Sequence, residues 1–268
     1  MLVAVDTGGT KTLVAVFDTD GSVIDSVKFP TPHETHEFIR ELSIVIDRLM
    51  DKKFLDAISI ALPGRIRNGV MINAGNLKWR HFDIAARLED HFKVRIFVEN
   101  DANLAGLAET RALGKIPPRS LYITVSTGIG TGFITNGLIN TDLSESEGGF
   151  MMLEHNGTLM KWEKFASGSA IKKKYGKFAS EITSKRAWYD IAKNINKGIV
   201  CLAPVLRPDV IIIGGSIGTH FAHYSETLNG LAKEYLHDDT VPRIVQAKHP
   251  EEAVIYGCYY YAVEHLAR

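Results

Sequence analysis

Short apolar runs alternate with glycine-rich polar turns along this chain, and the pattern starts twice. Leu2-Val3-Ala4-Val5 is strand-like, Asp6-Thr7-Gly8-Gly9-Thr10-Lys11 is a polar turn, and residues 12–17 resume a strand. Asp20-Gly21 marks a hairpin, and residues 22–29 return. Phe38, Leu42, Val45, Ile46 and Leu49 recur at helical spacing and predict an amphipathic helix within 34–51. Residues 58–61 read as a short buried strand that stops at Pro63-Gly64, 83–91 as a helix and 94–98 as a strand. Glu99-Asn100-Asp101 follows, then a helix over about 102–113. After Pro117-Pro118 the opening pattern restarts with a strand over 121–125, a glycine-rich turn over 126–132 and a strand over 133–135. A long helix over 186–203, a buried strand over 210–213 ending in Gly214-Gly215-Ser216, and another helix after Ile217 complete this half. A final helix is expected over 250–267, opened by Pro250 and two acids. Two strand–turn–strand units, one at the start of each half, point to a duplicated architecture.

Composition narrows the classes. The 268 residues hold 45% hydrophobic and 23% charged residues, enough to bury a core and unlike a disordered chain. Lys+Arg and Asp+Glu are both 31, so the basic field of a nucleic-acid coat is missing. No apolar run reaches membrane-spanning length. Met1 leads directly into the first strand, so neither a secretory leader nor a preceding helix-turn-helix module is expected. The two cysteines, Cys201 and Cys258, cannot build a disulfide framework, and reduced cytoplasmic thiols are the expectation.

Three turns can carry chemistry. The 6–11 turn lies between strands, which excludes a Walker P-loop. Its adjacent glycines let backbone N–H groups approach an anion, and Asp6 can hold a hydrated Mg²⁺ near phosphates. Lys11 either adds charge or is a solvated turn residue, and the whole segment also reads as an ordinary hairpin. The 126–132 turn is weak alone and gains weight as the partner of the first. Gly214-Gly215 sits at a strand's carboxyl end, where α/β folds place ligands, and equally reads as a helix start. Glu99-Asn100-Asp101-Ala102-Asn103 puts a carboxylate at a strand–helix junction, where it can accept a proton from a hydroxyl; helix capping explains only one of these polar residues.

Taken in order, 6–11 (DTGGTK), 61–66 (ALPGRI), 76–79 (NLKW), 98–109 (VENDANLAGLAE), 126–132 (STGIGTG) and 213–216 (IGGS) resemble the ROK sugar kinases of the actin-like, ribonuclease-H-like phosphotransferase superfamily. The resemblance spans essentially the whole chain. It implies an α/β protein of two actin-like domains, each a mixed sheet flanked by helices, with a cleft between them. The expected domains are 1–105, with the C-terminal helix 250–268 packing back on it, and 106–249. It implies a cytoplasmic, homodimeric, glucokinase-like hexose kinase that moves the terminal phosphoryl of ATP–Mg²⁺ to a sugar hydroxyl, O6 by preference. Neither nucleic acid nor membrane is an expected partner. Asp101 would be the general base, with Gly64, Asn76, Asn100, Asp101, Glu147 and Glu163 on the sugar. Asp6, Gly8, Gly9, Thr10, Lys11, Thr127, Gly128, Gly130, Gly214 and Gly215 would hold phosphates and nucleotide, with Mg²⁺ reached from Asp6 through water.

The chain departs from the family at one place. The Glu-x-Gly-His segment reads Glu147-Gly148-Gly149-Phe150, and residues 151–167 contain no cysteine, so the family's structural zinc is not expected. Glu163 in the 162–168 stretch takes the place of a second sugar carboxylate. Loss of the histidine opens the sugar choice beyond glucose to mannose, fructose, allose or N-acetylated amino sugars. His155 is a candidate substitute, though a surface role is the commoner one. Trp79 fits either a sugar face or the core, and Tyr259-Tyr260-Tyr261 fits a doubly packed helix or a dimer surface. Three other readings stand: polyphosphate as donor, a non-catalytic sugar sensor, and a nucleotide-driven interaction protein.

Overall fold

The computed structural model describes residues 1–51, 53–74, 77–250 and 252–267. The chain divides into two compact units, Met1–Ala108 with Glu252–Arg268, and Glu109–Glu251. Asn76, expected on the sugar, lies outside the described residues.

In the first unit β1 (Leu2–Thr7), β2 (Lys11–Phe17) and β3 (Val23–Pro30) form an antiparallel meander, followed by α1 (Thr35–Met50) and β4 (Ala57–Leu62). Three short strands, β5 (Arg65–Arg67), β6 (Val70–Asn73) and β7 (Arg80–Phe82), make a separate small sheet before α2 (Ile84–Phe92), β8 (Arg95–Asn100) and α3 (Asp101–Arg111). The main sheet runs β3-β2-β1-β4-β8, with β1, β4 and β8 parallel. The parallel strands are apolar on both faces because both are covered. Val3, Val5, Ile58 and Ile60 pack with Phe38, Leu42 and Ile46 of α1. The C-terminal helix packs against β1 and β4.

The second unit repeats the plan. β9 (Arg119–Val125), β10 (Ile129–Thr135) and β11 (Leu138–Ile139) are antiparallel; the hairpin β12 (Met152–His155) and β13 (Thr158–Lys161) and helices α4 (Glu163–Ala166), α5 (Gly168–Tyr175) and α6 (Lys185–Leu206) follow. Then come β14 (Val210–Gly214), α7 (Gly215–Gly218), α8 (Ser225–Tyr235) and β15 (Arg243–Gln246), and the chain ends in α9 (Ala253–Leu266). The sheet order β11-β10-β9-β14-β15 matches the first unit position for position: an antiparallel meander extended by two parallel strands. The restarted pattern in the sequence is this repeat.

Two boundaries differ from the sequence reading. The second turn is only residues 126–128, because the Ser126 N–H donates to the Gly128 carbonyl at 2.9 Å and Ile129 already pairs with Val125. Gly130 therefore lies inside β10, opposite Thr124. The last helix begins at Ala253 rather than 250. Buried Glu109 accepts from the N–H groups of Lys248 and His249, each at 2.6 Å, which holds the approach to Pro250 out of the helix. Among the described residues, no helix is long and apolar enough to cross a membrane.

One packing constraint in the second unit is severe. A Cβ on Gly198, inside α6, would fall 2.2 Å from the indole of fully buried Trp162. An alanine in a helix interior ordinarily stabilises relative to glycine by about 1 kcal/mol. Here Gly198→Ala should instead lower the unfolding free energy by about 2–3 kcal/mol, because a rigid ring must move. Equilibrium denaturation checks this, and a neutral or stabilising result contradicts the packing.

Candidate active site

The site residues of the first unit sit at the carboxyl ends of three adjacent parallel strands. Asp6, the penultimate residue of β1, is level with Ala61 of β4, which is level with Glu99 of β8. No loop separates β8 from α3, so Asp101 is the first residue of the helix. Asn100 builds this junction. Its Oδ1 accepts from the N–H groups of Ala102 at 2.8 Å and Asn103 at 3.1 Å, and its Nδ2 donates to the Gly64 carbonyl at 2.8 Å. These bonds cap α3 and tie it to the turn after β4. Among the described residues, the second Asn100 Nδ2–H has no hydrogen-bond partner. Glu99 is also structural: its Oε1 accepts from Asn100 N–H at 2.7 Å and from Asn103 Nδ2 at 2.9 Å. Gly64 is required where it stands, with φ +85° and a would-be Cβ 2.2 Å from the Asn73 carbonyl oxygen.

Asp101 keeps one oxygen open. Oδ1 accepts the Ala102 N–H at 2.8 Å, and no other described hydrogen bond reaches the carboxylate. Burial pushes its pKa up to about 6, against the pull of the backbone bonds. Asp6 is pushed up to about 7, first by burial and then by Asp101, with Lys28 partly offsetting. Among the described residues no hydrogen bond reaches the Asp6 carboxylate. Burial is the main cause for both carboxyl groups, and the charge of Asp101 adds to it at Asp6.

The neighbouring turn between β1 and β2 is built to present its tip. The Gly8 N–H donates to the Lys11 carbonyl at 2.9 Å, so it is not free for an anion. Thr31, which the sequence reading passed over, donates through Oγ1 to the Gly8 carbonyl at 2.8 Å and pairs with Thr12 Oγ1 at 2.9 Å. No described hydrogen bond uses the N–H groups of Gly9 and Thr10, and Lys11 is exposed beside them.

The second unit gathers its expected residues around the β9–β10 turn. Glu163, the first residue of α4, lies against it: a Cβ on Gly128 would meet Glu163 Oε2 at 3.1 Å. The Gly168 N–H donates to the Ser126 carbonyl at 2.6 Å, and Ser167 Oγ caps α5 by accepting from Ala170 N–H at 3.3 Å. Gly214 is level with Thr124 on the adjacent parallel strand, and Gly215, φ +74°, leaves 2.6 Å between a would-be Cβ and Thr124 Oγ1. Thr127 at the tip is exposed. Glu147 precedes Gly148, whose N–H donates to Thr131 Oγ1 at 3.0 Å, which sets that segment beside β10. Thr127, Gly128, Glu147, Glu163, Gly214 and Gly215 therefore border one region, with Gly130 in the strand beneath it.

Three further residues from the sequence have defined surroundings. Trp79 is a core residue, 3% exposed, tilted against Phe38 at 4.8 Å and donating through Nε1 to the His33 carbonyl at 2.6 Å. His155 lies flat on Phe165, ring centroids 4.4 Å apart, with its pKa lowered by burial and by Lys197 and Lys174. Phe150 is 46% exposed, with the Lys161 ammonium 3.7 Å over its ring. Among the described residues no group of three or more His, Cys, Asp or Glu is placed to hold a metal ion.

The profile of the ROK family matches residues 2–265, and the chain belongs to that family. A protein named fructokinase from Pediococcus pentosaceus is 27% identical over 239 residues, covering 81% of this chain and 80% of its own. A ROK family glucokinase from Streptomyces griseus, solved with glucose and AMPPNP, superposes with a TM-score of 0.82 at 20% identity, covering 98% and 99% of the two chains. A ROK family transcriptional regulator, a homolog of the E. coli MLC protein, superposes at 0.80 and 17% identity, covering 99% of this chain and 80% of its own. The fold is the actin-like two-domain α/β fold of these structures.

The carboxyl pair carries a stability cost. The folded-state pKa of Asp6 lies above its ordinary 3.8, so the folded protein loses stability as pH rises from there through about 7. Asp6→Asn should match the wild type near pH 4 and exceed it by about 1–3 kcal/mol at pH 8 in urea denaturation. A gap that is the same at both pH values contradicts the pairing.

Proposed function

We propose that the protein is an ATP-dependent sugar kinase of hexose specificity, with Asp101 as the general base. One observation carries this reading: a half-buried carboxylate is fixed at a strand–helix junction with one oxygen that no described hydrogen bond uses, on the same sheet edge as a second carboxylate and near a turn tip whose N–H groups no described hydrogen bond uses. A phosphoryl-transfer enzyme needs mostly positioning and charge stabilisation, and these are what the residues supply. The acceptor hydroxyl gives its proton to the open Asp101 oxygen as the hydroxyl oxygen attacks the terminal phosphorus; the bridging P–O bond breaks and ADP leaves. The remaining Asn100 N–H, with Asn76, Glu147 and Glu163, would orient the sugar. Gly9 and Thr10 amides, Lys11, Thr127, Gly128 and the Gly214-Gly215 pair would hold the nucleotide and its phosphates.

Mg²⁺ fits the residues present. The Asp6 carboxylate is a hard oxygen ligand without a hydrogen bond, and a second carboxylate adjoins it. Asp6 would hold the ion through water, and the bound ion would offset charge on the phosphate oxygens. The fructokinase and glucokinase relatives support sugar as the acceptor, and the AMPPNP complex supports ATP as the donor.

A specific feature favours a second donor. Residues 161–197 hold ten Lys and Arg against three acids, in a chain with equal totals of each sign. The segment starts beside Glu163 and Gly168 and runs through exposed Lys172, Lys173 and Lys177. A polyphosphate chain suits such a field.

A coupled assay over a hexose panel, with ATP and polyphosphate as donors, tests both readings. Sugar phosphorylation by ATP is expected; sugar binding without transfer would make the protein a sensor. Asp101→Ala should keep its fold and lose about 10³-fold or more in kcat, and near-normal turnover removes Asp101 from the role. The wild-type kcat/KM should show an acid limb with slope one and a midpoint near 6. The residual activity of Asp101→Asn should lack that limb.

A further inference from the structure

Asp6 and Asp101 stand on different elements, and a third element touches both. β1 and β8 are separated by β4, so sheet spacing alone holds their ends about 10 Å apart. The direction in which α3 leaves β8 therefore decides how close Asp101 comes to Asp6. α9 constrains that direction. A Cβ on Gly257 would lie 2.0 Å from the Leu104 carbonyl oxygen and 2.4 Å from its carbonyl carbon. The backbones of α9 and α3 thus meet directly, one turn beyond Asp101.

The next residue reaches the other carboxylate's strand. Cys258 is fully buried, and its thiol donates to the Val5 carbonyl at 3.7 Å, one residue before Asp6. The helix cannot slide easily. Tyr259 stacks on Phe17 at 4.9 Å and fills the space over Gly21, while Tyr256 meets Phe17 edge-on at 5.7 Å. Neither Gly257 nor Cys258 belongs to a motif singled out in the sequence.

We infer that Gly257 and Cys258 are positioning residues: α9 sets the separation of Asp6 and Asp101 by pressing its backbone on α3 and its thiol on β1. A side chain at 257 moves α3 away, and a larger one at 258 displaces the end of β1. A carboxylate misplaced by about 1 Å costs an enzyme on the order of 10²-fold in rate.

The inference rests on Asp101 being the base, and its test has two separate arms. In kinetics, Gly257→Ala and Cys258→Val should each lower kcat about tenfold or more while KM for the sugar changes less than about threefold. Cys258→Ser, which keeps size and donor, should stay within about threefold of wild type. Val45→Ala, on the buried face of α1, should lose comparable thermal stability and keep its kcat. In structure, crystals of Gly257→Ala or Cys258→Val should show the Asp6–Asp101 carboxyl separation changed by about 0.5 Å or more, against wild type crystallised alike. An unchanged separation in the folded variants overturns the inference whether or not the protein proves to be a kinase. Full kcat in a variant whose separation has changed overturns it as well. Absence of transfer by the wild type removes the kinase reading alone, and the separation then decides this one.

Discussion

Two carboxyl groups at the carboxyl-terminal edge of one sheet, Asp6 and Asp101, both raised in pKa by burial, set the terms for the rest of the first unit. Neither would be there for stability, since burial pushes both toward their neutral forms and Asp101 adds to the push on Asp6. Their confinement is bought with backbone architecture. Parallel strands bring Asp6, Gly64 and Glu99-Asn100 to one edge, and the Asn100 side chain spends both of its ends on fixing the helix that starts with Asp101. The result is a carboxylate whose position is overdetermined and whose remaining oxygen is free. That is the state a proton acceptor needs and a structural aspartate does not.

The second unit applies the same strand plan to a different task. Where the first unit places acids near the ends of β1 and β8, the second places glycines at the end of β14 and in the β9–β10 turn. Gly128, Gly214 and Gly215 each leave room that a side chain would take from Glu163, Tyr122 or Thr124. Closely approaching backbone suits an anionic ligand, and the turn after β9 is tied down by the Gly168 bond to Ser126. Duplication of one topology, followed by divergence at the strand ends, accounts for both halves of the proposed chemistry.

Much of this was legible in the residues. The β1–β2 hairpin, the α1 stripe and the restart at β9 follow from strand alternation and helical spacing. The Asp101 junction was visible as a cluster of polar residues too dense for a cap alone. The unread parts share a physical reason. β5, β6, β7, β12 and β13 are two- to four-residue pairings whose sequences carry charges and no clear alternation. Thr31 and Glu109 act through side-chain bonds to backbone elsewhere in the chain, and no local spacing announces such partners. The second turn was read four residues too long because Gly130 and Gly132 look like turn residues while sitting inside β10. Trp79 and His155 could be placed only once their neighbours Phe38 and Phe165 were known.

The kinase reading stands or falls on what touches Asp101 when an acceptor is bound. A crystal structure with a phosphorylatable hexose and a non-hydrolysable ATP analogue measures it. The account requires a sugar hydroxyl at about 2.6–3.2 Å from the open Asp101 oxygen and in line with the terminal phosphorus. A sugar whose nearest hydroxyl lies beyond about 4 Å from that carboxylate, or one oriented to it through Asn100 alone, contradicts it.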